Sequence, residues 1–311
     1  MKTILKSITD KFIDRTKRYS LPGFDGQSIY NVFNFLFKEF QRDAINVRAG
    51  AVAYSFMLSL FPAMMIIFSI IPYIPIQAYR VTLMNSLQQF MPHSAYQAIY
   101  ATIYDIINHQ RTGVLSIGII LALYYSSTGV IGLINAFDKV YPSFRQRNFW
   151  MKTLVSFKIT IFLFLLLTLS VVLIVAGEFV IQYLMNWLSV SGASAYFFLA
   201  SIKWLVIVLL FYFSISMIYF YAPAMHRRFR FFSAGSTVAS FLSILTSVGF
   251  SFFINNFGNY NKLYGSIGTL IVIMLWLYYN SLVLLIGFEL NASIEINKHL
   301  KNETQTKIDF E

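Results

Sequence analysis

Six stretches of the chain are continuous apolar runs, at approximately 49 to 74, 112 to 137, 153 to 177, 197 to 221, 233 to 255 and 265 to 290. Crossing a hydrocarbon core about 30 Å thick takes roughly 20 helical residues, and each run supplies them. Spanning β-strands would be shorter and would alternate polar with apolar positions, which these runs do not. The pattern predicts an all-α, polytopic membrane protein with six transmembrane helices. Shorter segments carry the spacing of amphipathic helices instead. Residues 2 to 19 set Ile4, Leu5, Ile8 and Phe12 on one face, with Lys2, Lys6, Arg15 and Lys17 around it, as in a helix lying on an anionic leaflet. Residues 29 to 44 repeat the pattern with Ile29, Val32, Phe33, Leu36, Phe40 and Ala44, leading into the first span. On the opposite side, Ser94 and Gln97 have capping-box spacing ahead of the stripe Tyr96, Ile99, Tyr100, Ile103, Ile106 and Ile107. A further helix is expected from about 78 to 90. Each of these also fits an ordinary surface helix packed on the bundle.

Orientation follows from Lys and Arg in the connections. The N-terminal segment carries Lys2, Lys6, Lys11, Arg15, Lys17, Arg18, Lys38, Arg42 and Arg48. Lys139, Arg145, Arg147 and Lys152 follow the second span, Arg227, Arg228 and Arg230 the fourth, and Lys298, Lys301 and Lys307 the sixth. The other side has only Arg80, Arg111 and Lys262. This asymmetry predicts that both termini are cytoplasmic. Three parts result: cytoplasmic or interfacial amphipathic helices over 1–48, a transmembrane domain over 49–290, and a cytoplasmic tail over 291–311. The first 48 residues have no apolar core followed by a small-residue cleavage site, so no removable signal peptide is expected.

Composition agrees with the hydropathy pattern. Of the 311 residues, 57% are hydrophobic and 12% charged, against roughly 25% charged in a soluble average, and the mean hydropathy is +0.63. The formal charge of +11 lies in short segments beside apolar runs rather than along one soluble face, so it reads as topology and not as a nucleic-acid footprint. Without cysteine there is no disulfide, no thiolate nucleophile and no Cys-ligated zinc. His93, His109, His226 and His299 stand apart, without ligand spacing, so neither a metal nor a cofactor is expected. The chain has neither a glycine-rich phosphate loop nor a G-x-S-x-G elbow, and only 13 carboxylates. An enzyme is not the expected class.

Polar groups at membrane depth are the better lead, because each is costly unless paired or hydrated. Glu178 and Lys203 lie at similar depth near the outer ends of the third and fourth spans, and are a candidate outer pair; the alternative is a snorkelling lysine and a hydrated glutamate. Lys158 is expected to snorkel at the inner end of the third span. Arg48, Asp138 and Glu289 form a candidate inner charge cluster, able to bind an anionic group or to lock helix ends. The fifth span carries Ser233, Ser236, Ser240, Ser243, Ser247 and Ser251 along one face. Such a stripe permits close helix packing or lines a hydrated path. Tyr124 to Gly129 and Asn135 in the second span, and Tyr278 to Ser281 in the sixth, add polar midsections. Ser126, Thr128, Asn135, Ser240, Ser243, Ser247 and Asn280 are the candidate lining of a shared cavity, and Pro62 and Pro72 are expected to bend the first span.

The segments Arg48-Ala49, Ala53-Tyr54, Ser59-Leu60-Phe61-Pro62, Tyr264-Gly265-Ser266-Ile267-Gly268-Thr269, Leu275-Trp276-Leu277-Tyr278 and Gly287-Phe288-Glu289-Leu290-Asn291-Ala292 resemble the YihY/BrkB family of bacterial inner-membrane proteins. The stretch from Ser126 to Asn135 is similar too, and the likeness covers about residues 35 to 295. The resemblance implies six spans in a bacterial cytoplasmic membrane. It brings no agreed catalytic residues, and members have carried ribonuclease, serum-resistance and lipid-export labels. The expectation is a transporter or flippase for an amphiphilic, anionic molecule, with membrane lipids as partners. The alternative is a non-transporting scaffold for envelope assembly; the ribonuclease label does not fit the residue inventory. Substrate, coupling ion and oligomeric state are left open.

Overall fold

Over its described residues each apolar run is helical in the computed structural model, except for Phe137 and Ser233 at two run ends. The structure describes residues 16–17, 19–42, 44–70, 100, 112–187, 192–226, 228–256 and 260–308, with backbone alone for 40–42, 61–70, 112–122, 175–176, 178–179, 193, 255–256, 260–267, 269 and 301–308. Among the described residues seven helices follow one another: α1 (Ile29–Arg42), α2 (Ile45–Ile70), α3 (Thr112–Ala136), α4 (Phe149–Trp187), α5 (Ala193–Tyr221), α6 (Ala234–Asn256) and α7 (Tyr260–Ile308). No strand occurs among the described residues; the one β-type contact is an isolated antiparallel bridge between Phe144 and Met225. The expected helices over 2 to 19, 78 to 90 and 94 to 107 lie outside the described residues, apart from a few positions.

Four described helical segments are long and apolar enough to cross a membrane: Phe149–Ile174, Ser194–Tyr221, Ala234–Ile254 and Leu270–Leu300. The segment Ile45–Leu60 is a shorter apolar helix. Along α4 and α5 many large apolar side chains are exposed, including Leu165, Leu167, Phe197, Leu205 and Leu209. In water such surfaces would be a severe liability; against acyl chains they cost nothing.

The chain divides into two compact units. The first comprises Met1–Ile45, Phe137–Ser243 and Val283–Glu311. It contains α1, α4, α5, the start of α6 and the C-terminal part of α7. Helix α1 turns Val32, Leu36 and Glu39 inward, one turn apart, and leaves Phe33 and Phe37 exposed. Val32 and Phe24 pack on Leu290 and Ile294 of α7. Phe24 reaches that position from a tight loop in which Gly23 (φ 90°), Asp25 (φ 51°) and Gly26 (φ 77°) take the left-handed conformation. The centre of this unit is aromatic. Phe288 stacks on Phe137 at 4.3 Å and meets Phe144 and Phe229 edge-on. The connections after α3 and α5 are joined by backbone bonds from Arg145 N–H to Ala224 O (2.9 Å) and from His226 N–H to Ser143 O (3.2 Å).

The second unit comprises Asn46–Ala136 and Ile244–Leu282. Here α2 and α3 meet through small residues. A Cβ placed on Gly129 would lie 2.6 Å from Ser59 Oγ, and one on Gly132 would lie 2.5 Å from Ser55 Oγ. Both serines return their hydroxyl protons to their own helix, at Phe56 O and Ala51 O, so no polar group is stranded by the contact.

Candidate functional site

Among the described residues, a three-residue ionic cluster in the first unit holds deeply buried charges. Lys139, in the connection after α3, has its Nζ 2.6 Å from Glu39 of α1 and 2.7 Å from Glu289 of α7. The three side chains are 2%, 4% and 1% exposed. Tyr141 completes the set by donating its hydroxyl to the other oxygen of Glu39 at 2.7 Å. Charges this dry persist only when paired, so the cluster fixes α1, α7 and the connection in one arrangement. Of the three charges predicted to gather, Glu289 pairs with Lys139, Asp138 pairs with Lys152, and Arg48 donates from Nε to the carbonyl of Ala136 at 2.9 Å. Arg48 thereby caps the C-terminus of α3, where the last carbonyls have no helical partner. Sequence reading missed Glu39 and Lys139, which lie in basic segments already assigned to topology.

The end of α5 is held in the same way. The guanidinium of Arg147 donates to Ala222 O at 2.7 Å, Pro223 O at 2.9 Å and Tyr221 O at 3.2 Å. Burial, together with the positive charges of Arg145 and Arg228, pulls the Arg147 pKa below its ordinary value, while Asp138 acts in the opposite sense. One helical turn earlier, Tyr219 is buried and donates its hydroxyl to Leu284 O of α7 at 2.6 Å. The start of α6 is capped from α7: Asn291 accepts from Gly235 N–H and donates to Ser233 Oγ, both at 2.8 Å.

The predicted serine face divides along its length. Ser236, Ser240 and Ser243 are buried in the first unit. There α6 and α7 approach so closely that a Cβ on Gly235 would lie 2.1 Å from the carbonyl oxygen of Gly287. In the second unit Ser247 and Ser251 line a groove of about 320 Å³ together with Phe250, Ile254, Val272, Ile273 and Trp276. The remaining predicted lining residues are placed differently. Ser126 is half-buried, and its hydroxyl has no hydrogen-bond partner among the described residues. Thr128 and Asn135 are exposed, and Asn280 donates to the carbonyl of Trp276 within its own helix at 2.9 Å. Ser236, Ser240 and Ser243 are thus buried, whereas Ser247 and Ser251 line a groove.

At the predicted outer pair, Lys203 of α5 lays its stem against α4, its Cδ 2.5 Å from where a Cβ on Gly177 would stand. The neighbouring side chain, Glu178, lies outside the described residues. A small cleft of about 90 Å³ sits beside the N-terminal loop, where Asp25 bridges Lys298 at 2.8 Å and Arg230 at 3.1 Å. No grouping of three His, Asp or Glu residues suited to a metal occurs among the described residues.

Comparison with known proteins gives a consistent answer. A family model described as "Virulence factor BrkB" matches residues 36–309. The putative ribonuclease-like protein YfkH of Bacillus subtilis is 30% identical over 258 residues, covering 82% of this chain and 92% of that protein. A UPF0761 membrane protein of Aeromonas salmonicida is 28% identical over 291 residues, covering 86% and 91%. Another, from Tolumonas auensis, is 25% identical over 278 residues, covering 86% and 87%. No solved structure matches the chain.

Proposed function

The chain belongs to the BrkB virulence-factor family and is a membrane protein, and on that premise we propose that it binds and translocates an amphiphilic, lipid-like, anionic molecule. The observation that carries this reading is the groove between α6 and α7. Phe250, Ile254, Val272 and Ile273 give it an apolar floor suited to acyl chain, and Ser247, Ser251 and Trp276 give it hydrogen-bonding groups at the same level. A surface made only to contact bulk lipid gains nothing from hydroxyls there, whereas a path for a molecule with a polar head does.

In this reading the protein crosses a bacterial cytoplasmic membrane six times with both termini inside, has no metal or cofactor, and acts on no nucleic acid. The word ribonuclease stays with the Bacillus subtilis relative whose name carries it. The full-length protein in vesicles should accelerate movement of a fluorescent anionic phospholipid between leaflets relative to protein-free vesicles. Ser247→Leu with Ser251→Leu should abolish the acceleration. Vesicles in which no labelled lipid of any headgroup moves faster than in the protein-free control would sink the proposal.

A second reading rests on the buried half of the same face. The packing of Ser236, Ser240 and Ser243, with Gly235 against Gly287, favours a rigid scaffold in envelope assembly that moves nothing. The vesicle experiment separates the two, since a scaffold leaves the lipid rate unchanged.

A further inference from the structure

A separate feature of the first unit points to a bound ligand, independently of transport. On α4 the residues Trp150, Leu154, Lys158, Ile161, Phe162 and Leu165 recur at spacings of three and four and form one face. All six are exposed, Trp150 by 77% and Leu154 by 67%. The face is what an acyl chain and its interface require: an aromatic residue at the start, apolar residues onward, and one cation between them. That cation, Lys158, lies nine residues beyond the start of the helix, about 13 Å along its axis.

Lys158 reaches toward the inner end of α5, where its Nζ sits 4.2 Å above the ring of Tyr221, the last residue of that helix. The guanidinium of Arg228 lies against the same ring at 5.2 Å, and against Phe220 at 5.1 Å. Two cations therefore share one aromatic ring, and neither makes an ion pair among the described residues. Arg145 and Arg147 add positive charge to the same region, and the charges of Arg145 and Arg228 add to the burial that lowers the Arg147 pKa. Of the carboxylates nearby, Asp138 pairs with Lys152, Asp25 pairs with Arg230 and Lys298, and Glu295 lines the small cleft beside Arg228. Cations gathered beside an apolar face repel one another and lose hydration unless an anion lies between them.

We infer that Lys158, Arg228 and Tyr221 form a binding site for the phosphate of an anionic phospholipid whose acyl chain lies along Leu154, Ile161, Phe162 and Leu165 of α4. The aromatic ring holds the two cations at a fixed separation, and a headgroup phosphate neutralises both. The chain on the α4 face distinguishes a lipid from a free anion, which could satisfy the charges but not the exposed apolar stripe.

The test uses the full-length protein in a mild detergent, with phosphatidylglycerol, phosphatidylcholine and inorganic phosphate as probes and native mass spectrometry as readout. Phosphatidylglycerol should be retained one per chain and bind roughly thirtyfold more tightly than phosphatidylcholine, the preference expected of two interfacial cations. Lys158→Gln with Arg228→Gln should bring the two lipids level. Lys158→Arg, which keeps the charge at the ring, should preserve the preference and shows that the position tolerates change. Equal retention of both lipids by the unaltered protein would overturn the site. So would an undiminished preference in the double variant, if it folds; if it does not, each single glutamine variant should lose about half of the preference on a logarithmic scale. Displacement of the lipid by millimolar phosphate alone would assign the site to a free anion instead.

Discussion

Lys139 and Glu289 meet at 2.7 Å in a setting where neither is more than 2% exposed, and Glu39 reaches the same ammonium from the opposite helix. One cation therefore serves two carboxylates, and the members are not equivalent. Removing one partner of a buried ion pair costs about 3–5 kcal/mol, because the other is left charged and dry. Lys139→Met removes the shared cation from two carboxylates and should lower Tm in detergent more than Glu39→Gln, which removes one carboxylate and keeps the Lys139–Glu289 contact. The triple change Lys139→Met, Glu39→Gln, Glu289→Gln should recover most of the loss. Equal losses from the two single variants would show that the cluster is hydrated in solution.

Arg147 makes a narrower point about geometry. Its planar guanidinium serves three carbonyls at the end of α5, on Tyr221, Ala222 and Pro223. A lysine has the charge but not the fork of donors, so Arg147→Lys leaves buried carbonyls unserved at about 1–3 kcal/mol. Thermal unfolding should place Arg147→Lys close to Arg147→Gln rather than close to the unaltered protein. Because an arginine keeps its proton across the accessible pH range even when burial lowers its pKa, the difference should not vary between pH 6 and pH 9.

Close helix contact makes opposite predictions for two glycines of α6. A Cβ at Gly235 would overlap the backbone oxygen of Gly287, 2.1 Å away, and backbone cannot swing aside as a side chain can. At Gly249 a Cβ meets nothing within 4 Å. Gly235→Ala should therefore sharply reduce the yield of folded protein, and it also disturbs the Asn291 cap on the same residue. Gly249→Ala should be neutral or favourable by up to about 1 kcal/mol, the helix preference of alanine over glycine. The check is monodispersity and Tm of the two variants purified side by side.

These contacts also mark where sequence reasoning stops. Length and hydropathy located the helices because a bilayer imposes both, but an apolar run gives a span and not the ends of the helix that contains it. Helix α7 continues to Ile308, past the apolar run that stops near 290, since Asn291, Glu295 and Lys298 break the hydropathy without breaking the helix. There Ile294 packs on Phe24, and Lys298 binds Asp25, contacts between opposite ends of the chain that no local pattern encodes. The charges near the helix ends were legible one by one; their pairing was not. Lys139 looked like one more cytoplasmic lysine because burial between Glu39 and Glu289 depends on how three distant segments meet. The serine stripe was visible at once from its spacing, yet the spacing is the same where it packs and where it lines a groove.

Ser240 separates those two uses most sharply. Its hydroxyl is buried in the first unit and has no hydrogen-bond partner among the described residues, unlike Ser236, which donates to Ser233 O at 2.8 Å. If packing is the whole role of Ser240, its oxygen contributes only the cost of a dry, unpaired polar atom, and removing it should help. Ser240→Ala should then raise Tm slightly or leave it unchanged, while Ser236→Ala should lower it by loss of the helix-start contacts. If water reaches Ser240, the hydroxyl is solvated. In that case Ser240→Ala gains no stability, and Ser240→Leu should block lipid movement in vesicles as strongly as Ser247→Leu. A stabilised Ser240→Ala with an unaltered lipid rate would confine any path to the part of α6 beyond Ser243, where Ser247 and Ser251 face Trp276.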